Sequence, residues 1–332
     1  MAANISPTTL QEAIIHYADL ETCQRELVAA RWPDGVTCPT CGRTDVAYLA
    51  NQKRWQCKST HAKRQFSAKV GTIFEDSPIS LSKWFTAIWL ISSAKNGISS
   101  YEIHRAIGVT QKTAWFMLHR IRLAMQTKSF SKPFDGQVEV DETFIGGQAR
   151  FMHKAKRDRA MRGMVTGRWH RTAVVGAIKR TSEDGPSQVV ARVVPNTRRA
   201  SVMPFVREHV SMENTILYTD ALRSYDQPFT WSSERHPEAF DRRVIDHATS
   251  YVQGDIHTNS AENFWSLVKR MLRGTYVSVE PFHLFRYLDE EVYRFNSRKM
   301  GDGARFKQMT ARVIGKRLTY AALTGEAREQ SA

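Results

Sequence analysis

Acidic residues on an apolar, strand-like run constrain this chain more than any other feature. The run Val138–Gly147 (VEVDETFIGG) carries Asp141 and Glu142 and stops at a Gly-Gly pair. A carboxylate at the end of a buried strand is costly unless a cation pairs with it, and a divalent metal is the usual partner. The segment therefore predicts a buried strand that delivers carboxylates to a metal site.

Two later acids fit the same site. Asp220 ends the apolar run Thr215–Asp220, and Glu262 lies near the start of the helix-like run 257–270. Lys269 follows Glu262 by about two helical turns and shares its face, from which it can reach a phosphate held by the metal. Asn259 has the residue type and position of the N-cap of this helix.

Other acids compete for these roles. Glu139 and Asp141 share one strand face while Glu142 faces the other way, so the residues alone do not decide which of them binds metal. Further aspartates in loop-like sequence compete for the second position: Asp226, Asp241, Asp246 and Asp255.

The charge balance indicates the partner. The 332 residues include 48 Lys+Arg against 33 Asp+Glu, a formal net charge of +15. Such an excess favours a polyanion, most simply double-stranded DNA, although a solvated basic surface or a ribosome-associated protein has the same composition. Carboxylates that hold Mg²⁺ (or Mn²⁺) serve phosphoryl transfer, so charge and acids together predict metal-dependent chemistry on a phosphate backbone.

A cysteine cluster predicts a second metal. Cys38, Cys41, Cys57 and His61 follow the spacing C-x2-C-x15-C-x3-H, which is typical of tetrahedral Zn²⁺. Four protein ligands close the site, so this zinc is structural. His61 is the weakest of the four ligands, and His104 or Cys23 could replace it. The few cysteines and the absence of a signal-like or membrane-spanning run predict a cytoplasmic, nucleoid-associated protein.

The middle of the chain predicts two short helices joined by a turn. Ser99 and Glu102 have capping-box spacing, Gly108 ends the first helix, and Thr110 caps the second. The pattern resembles a helix-turn-helix, with an ordinary helical hairpin as the alternative. In the first case the recognition helix begins with the DNA-binding candidates Gln111, Lys112 and Thr113.

Composition and periodicity divide the chain into five parts. These are a helical lead-in (1–35), a zinc ribbon (36–70), a helix-turn-helix-like domain (78–128), an α/β core (137–300) and a basic helical tail (301–332), with a linker at 129–136. Within the core the expected order is three strands, a helix, a strand and a helix, and the second and third strands form a hairpin.

Taken as a set, these motifs resemble the DDE-type bacterial insertion-sequence transposases, in the ISXO-like subgroup that has an N-terminal zinc ribbon. The resemblance covers roughly residues 20–300. The motifs that carry it are CPTCG (38–42), GTIFE (71–75), VDETFIGG (140–147), YTD (218–220) and HTNSAENFWS (257–266).

The resemblance implies an RNase H-like mixed sheet with flanking helices, and Asp141, Asp220 and Glu262 as the metal-binding triad. It implies an oligomer that binds terminal inverted repeats, hydrolyses a strand to expose a 3′-hydroxyl, and transfers that hydroxyl to target DNA. The second zinc pair is often Cys-x-x-Cys in such proteins, whereas this chain has Cys57 and His61.

The same resemblance gives a role to the basic spacer between the first two core strands. Beside the metal site it would follow DNA phosphates, through Lys154, Lys156, Arg157 and Arg159, or else it is a solvated loop. Two other functions share these motifs: a catalytically silent DNA-binding regulator, and a nuclease that cuts without joining.

Overall fold

The computed structural model describes residues 7–126, 132–146, 171–183, 185–225, 241–245 and 257–325. The chain forms two compact units, one of residues 1–126 and 297–332 and the other of residues 127–296. Of the helices in the described ranges, none is both long enough and apolar enough to cross a membrane.

The first unit combines a small sheet with helices. Its strands are β1 (Val46–Leu49), β2 (Arg54–Cys57) and β3 (Gln65–Phe66), joined in an antiparallel meander. Its helices are α1 (Leu10–His16), α2 (Leu20–Arg31), α3 (Leu81–Ser93), α4 (Ser100–Ile107), α5 (Gln111–Met125), α9 (Asp302–Arg312) and α10 (Tyr320–Thr324).

Apolar residues cover most of the circumference of α3, so this helix is buried at the centre of the unit. Phe85 of α3 packs edge-on against Tyr17 and Phe306, with ring centroids 4.9 and 5.8 Å away. Aromatic contacts of this kind hold residues from both ends of the chain in one core.

The predicted helix boundaries around α4 and α5 are confirmed. Ser99 and Glu102 form the reciprocal capping box, and Gly108 ends α4 in the left-handed region at φ 62°. The Thr110 hydroxyl then accepts the backbone N–H of Thr113 and starts α5. Local caps therefore fix both ends of the short turn between the two helices.

The second unit is built on a five-stranded sheet in the order β6-β5-β4-β7-β8. The strands are β4 (Phe134–Ile145), β5 (Thr172–Lys179), β6 (Gln188–Val194), β7 (Val210–Asp220) and β8 (Asp241–Ile245), and the helices are α6 (Arg199–His209), α7 (Asn259–Met271) and α8 (Leu284–Asn296). β5 runs antiparallel to β4 and β6, whereas β4, β7 and β8 are parallel. This mixed sheet with flanking helices is the predicted RNase H-like architecture.

Helices cover both faces of the sheet, so its central strands are apolar on both sides. Val138 and Val140 of β4 face the core that contains α6. Val174 and Ile178 of β5 face the opposite core, which contains α7 and α8. Because side chains alternate along a strand, Glu139 and Asp141 lie on the α7 side of β4 and Glu142 lies on the α6 side.

Two features of this sheet differ from the sequence prediction. β4 begins at Phe134, inside the expected linker 129–136, because the Phe134 side chain is buried in the α6 core. β8 was not predicted. It begins at Asp241, in a segment whose sequence was interpreted as a loop. Only Ile245 of this charged edge strand is buried, so it carries no apolar alternation that marks a strand.

Gly176 on β5 sets how closely α7 approaches the sheet. A Cβ atom at this position would lie 2.9 Å from two ring carbons of Trp265, so the indole lies directly on the glycine. We expect Gly176→Ala to displace the indole and to lower the free energy of unfolding by about 1–3 kcal/mol, measured by urea denaturation. Gly274→Ala is the control, since its Cβ meets nothing within 4 Å. Equal stability of the two variants would contradict this packing.

Candidate functional site

Parallel pairing of β4 with β7 brings two predicted acids together. Val140 pairs with Thr219, so Asp141 and Asp220, one residue further along each strand, lie side by side where β7 ends. Asp141 also pairs across β4 and β5 with Gly176. Both aspartates are partly exposed at this point, so they lie near the core and remain accessible from solvent.

Helix α7 brings the third acid to the same face. The indole N–H of Trp265 donates to Asp141 Oδ2 at 3.1 Å, which ties α7 to β4. Glu262 precedes Trp265 by about one helical turn and therefore lies on the same side of the helix. The Glu262 side chain is exposed, and its negative charge acts on Asp141.

Burial and neighbouring charge both act on Asp141. Burial raises the pKa of Asp141 to about 6, and the charges of Asp220 and Glu262 add to the increase. Hydrogen bonds from the Glu142 backbone N–H and the Trp265 indole oppose it. A largely buried carboxyl with two further acids close enough to act on it is a donor set that a divalent cation would stabilise.

Glu142 occupies the opposite face of β4. Its carboxylate accepts the hydroxyl of the buried Tyr225 at 2.5 Å. Burial raises the pKa of Glu142 to about 8, and the charges of Asp220 and Asp141 contribute. Glu142 therefore carries a proton for much of the time at neutral pH.

The structure also places the acids that competed with the triad. Glu139 is fully buried and its Oε1 lies 2.6 Å from Arg180 Nε, so a protein cation already pairs with it. Asp241 pairs with Ile216, four residues before Asp220 on β7, so it lies away from the end of the strand that carries Asp220. The remaining competitors lie outside the described residues: Asp226, Asp246 and Asp255.

Helix α7 begins differently from the prediction. Asn259 is its first helical residue rather than its N-cap, and the side chain of the preceding Thr258 does not cap the helix either. A carboxylate from another element does so instead: the backbone N–H of Ala261 donates to Glu139 Oε2 at 3.0 Å. Lys269 lies further along the same helix, about two turns from Glu262, and is partly exposed.

Several residues around the acids were not singled out from the sequence as site residues. The indole of Trp265 orients Asp141, and the backbone N–H of Leu222 donates to Asp220 Oδ1 at 3.0 Å. Arg242 of β8 donates to Thr219 Oγ1 at 2.8 Å and to the Asp220 carbonyl at 3.1 Å. Of these residues, only Trp265 could have been identified from the sequence, because it follows Glu262 by three residues and so lies on the same side of the helix.

The four zinc-ligand candidates lie together in the first unit. The ligand atoms of Cys38, Cys41, Cys57 and His61 are all within 4.8 Å of one another. In the part of the chain that the structure describes, this is the one group of three or more such side chains drawn so close. Cys38 Sγ lies 3.5 Å from His61 Nε2, and Cys41 Sγ lies 3.6 Å from Cys57 Sγ.

The surroundings of these thiols favour a metal-binding thiolate. The backbone N–H of Ser59 is the main cause that lowers the pKa of Cys57 to about 6. The alternative ligands are engaged elsewhere: the Cys23 thiol donates to the Tyr17 carbonyl at 3.2 Å, and the His104 ring contacts the Val109 carbonyl. The cluster therefore supports a structural zinc site with three cysteines and His61.

The predicted DNA-contacting residues of α5 make contacts within the protein. The Gln111 amide donates to Ser100 Oγ at 2.9 Å, and the Lys112 ammonium lies 4.8 Å from the centre of the Tyr320 ring. Thr113 Oγ1 lies 2.8 Å from Thr110 Oγ1. The basic spacer residues Lys154, Lys156, Arg157 and Arg159 lie outside the described residues.

Family models match a segment of each of the two units. Residues 133–296 match the ISXO2-like transposase domain, and residues 19–62 match the transposase zinc-ribbon domain. The chain belongs to the ISXO2-like insertion-sequence transposases. The first match contains Asp141, Asp220 and Glu262, and the second contains all four zinc-ligand candidates.

Two relatives are similar to this transposase-family chain. A protein in transposable element ISH50 of Halobacterium salinarum is 27% identical over 253 residues, which cover 74% of this chain and 81% of the relative. A transposase-like protein of Haemophilus influenzae is 33% identical over 110 residues, which cover 33% of this chain and 82% of the relative. No solved structure matches the chain.

The cysteine cluster predicts one zinc ion that depends on Cys41. We expect Cys41→Ser to lower the zinc content per chain, measured by mass spectrometry of the purified protein, because a hydroxyl is a poor ligand for this metal. Cys23→Ser is the matched control, since a serine there can still donate to the Tyr17 carbonyl and lies outside the cluster. Full zinc content in Cys41→Ser would contradict the ligand set.

The raised pKa of Glu142 predicts how stability depends on pH. A carboxyl whose pKa rises from its ordinary 4.5 to about 8 on folding destabilises the fold once ionised. Its cost is absent well below pH 4.5, grows as the pH rises, and is complete above about pH 8. Glu142→Gln removes that cost and still accepts the Tyr225 hydroxyl.

In buffer without added divalent cations, Glu142→Gln should therefore raise the Tm more at about pH 9 than at about pH 4. Differential scanning calorimetry measures the difference, with the exposed Glu213→Gln as control. A gain that does not change with pH would show that ionisation of Glu142 is not its cause.

Proposed function

We propose that this chain is the transposase that mobilises its own insertion sequence. It binds the terminal inverted repeats, and water attacks a phosphodiester so that the P–O3′ bond breaks and leaves a 3′-hydroxyl. That hydroxyl then attacks a phosphodiester of target DNA, forms the new P–O bond and displaces the 3′-oxygen of the target strand. Family membership supports the class, and the convergence of Asp141, Asp220 and Glu262 supports the chemistry.

The three carboxylates fit Mg²⁺ or Mn²⁺. Burial, and after it the charges of Asp220 and Glu262, raises the pKa of Asp141, and a hard divalent cation would stabilise the ionised carboxylate there. When bound, the metal stabilises the attacking and leaving oxygens of an in-line phosphoryl transfer. Asp141, Asp220 and Glu262 would hold it, two from the sheet edge and one from α7.

Neighbouring groups orient these carboxylates. Each oxygen of Asp141 accepts a hydrogen bond, Oδ1 from the Glu142 backbone N–H at 2.8 Å and Oδ2 from the Trp265 indole at 3.1 Å. Asp220 Oδ1 is held by the Leu222 N–H. Such partners fix the directions in which the remaining lone pairs point.

Lys269 and Glu142 have supporting roles in the proposal. Lys269 binds a DNA phosphate next to the carboxylates, since it follows Glu262 by about two turns of α7. Glu142 supports β4 from its opposite face, where its carboxylate accepts the hydroxyl of the buried Tyr225.

DNA recognition is assigned to the first unit. The zinc ribbon and the α4–α5 pair would bind the terminal repeats, with Gln111, Lys112 and Thr113 at the start of α5 facing DNA. The spacer residues Lys154, Lys156, Arg157 and Arg159 would bind DNA phosphates near the catalytic acids. Pairing of two element ends favours at least a dimer on DNA.

Cleavage and joining of DNA that carries the flanking inverted repeats, in Mg²⁺ or Mn²⁺, test this function. Wild type should nick the ends and form joined product. Asp220→Asn should lose both by more than about 100-fold and still bind the repeats, because removing even an outer-shell partner of a metal costs about 10–100-fold. Glu213→Gln, an exposed acid near the start of the same strand, is the matched control and should retain activity.

Each other outcome selects a different function. Repeat binding by wild type without cleavage in either metal would identify a silent DNA-binding regulator. Cleavage without joined product would identify a nuclease. Cleavage that survives Asp220→Asn would show that the metal site lies elsewhere.

A further inference from the structure

A buried ion pair lies beside the three carboxylates, and none of the three takes part in it. Glu139 is fully buried, and its Oε1 accepts a hydrogen bond from Arg180 Nε at 2.6 Å. Arg180 follows β5 and is itself mostly buried. A buried pair of this kind contributes little net stability compared with an apolar pair of the same size, so stability alone does not account for it.

The pair joins elements that are distant in sequence. Glu139 Oε2 accepts the backbone N–H of Ala261 at 3.0 Å, in the first turn of α7. Arg180 Nη2 donates to the His257 carbonyl at 2.7 Å, just before that helix. The Arg180 guanidinium also lies over the Tyr218 ring of β7, 4.0 Å from its centre.

Each of these contacts is adjacent to one of the three acids. Glu139 precedes Asp141 by two residues on β4, and side chains two apart on a strand share a face. Tyr218 precedes Asp220 by two residues on β7 in the same way. Ala261 directly precedes Glu262 on α7. One ion pair therefore contacts all three elements that carry the triad.

We propose that Glu139 and Arg180 are positioning residues that set the distance between Glu262 and the two strand aspartates. The proposal rests on the metal-binding function above. Glu139 accepts the Ala261 N–H in the first turn of α7, where the Thr258 side chain does not cap the helix, so the start of α7 is fixed to β4 as well as to His257 of its own preceding segment. Metal ligands must be held within about 0.5 Å of their working positions, and exposed Glu262 depends on its helix for that.

The same unit contains a matched pair for comparison. Arg294 Nη1 lies 2.6 Å from Glu291 Oε2 on α8, and both side chains are almost completely buried. Their other contacts are with Glu290 on the same helix and with Met271 Sδ, 3.3 Å from Arg294 Nη1 at the last residue of α7. Loss of charge at Glu291 therefore tests the loss of a buried ion pair that contacts only the end of α7 furthest from Ala261 and Glu262.

The test measures metal binding directly, with zinc-loaded full-length protein and Mn²⁺ as the probe. Free Mn²⁺ is followed by electron paramagnetic resonance in wild type, Asp220→Asn, Glu139→Gln, Arg180→Lys and Glu291→Gln. Circular dichroism melting of each variant reports folding. The Mn²⁺ concentration for half-maximal cleavage and the affinity for the repeat DNA are measured on the same samples.

We expect Glu139→Gln to weaken Mn²⁺ binding about 10–100-fold, since this is the usual effect of removing an outer-shell partner. High Mn²⁺ should restore most of its cleavage rate, and its DNA affinity should be unchanged. Arg180→Lys keeps the charge but loses the planar guanidinium that bonds Glu139 through Nε and the His257 carbonyl through Nη2, so it should weaken Mn²⁺ binding by less. Glu291→Gln should melt at a lower temperature and bind Mn²⁺ as wild type does.

Normal Mn²⁺ binding in folded Glu139→Gln would overturn the positioning role, and so would an equal loss in Glu291→Gln. If Glu139→Gln does not fold, Arg180→Lys decides the question: unchanged Mn²⁺ binding overturns the role and weaker binding supports it. If wild type binds no more Mn²⁺ than Asp220→Asn does, the proposed function itself is overturned. This outcome is distinct from failure of the positioning role.

Discussion

The parallel pairing of β4 with β7 is the constraint on which the rest of the site depends. These are inner strands of the sheet, with helix-bearing cores on both faces, so their relative register is held by hydrogen bonds and by packing. That register places Asp141 and Asp220 at one edge, where burial and like charge raise the pKa of Asp141 to about 6. The fold therefore brings acids together against their repulsion, as sites that bind cations do.

The third acid comes from a helix whose position depends on contacts far apart in the chain. Gly176 lets the Trp265 indole lie on β5, and the same indole donates to Asp141. At the start of that helix, Glu139 accepts the Ala261 N–H. Packing at one point and a hydrogen bond at the other together determine where Glu262 lies relative to the strands.

Local patterns in the sequence predicted much of the fold because their physics is local. The Ser99–Glu102 capping box and the left-handed Gly108 correctly bounded α4, since caps involve residues three or four apart. The zinc cluster was likewise readable from spacing, and the structure draws together the four side chains that the spacing named. β8 was missed because a charged edge strand buries only Ile245 and shows no alternation.

The sequence by itself determined the classes of chemistry: clustered soft ligands, strand-borne acids, a helical Glu262 and a strongly basic chain. The roles of neighbouring acids were decided only by the tertiary structure. Glu139, Asp141 and Glu142 lie within four residues, yet one pairs with Arg180, one accepts the Trp265 indole N–H, and one accepts the Tyr225 hydroxyl. Burial and hydrogen-bond partners separate them, and those partners come from elements that only strand register and helix packing bring to β4.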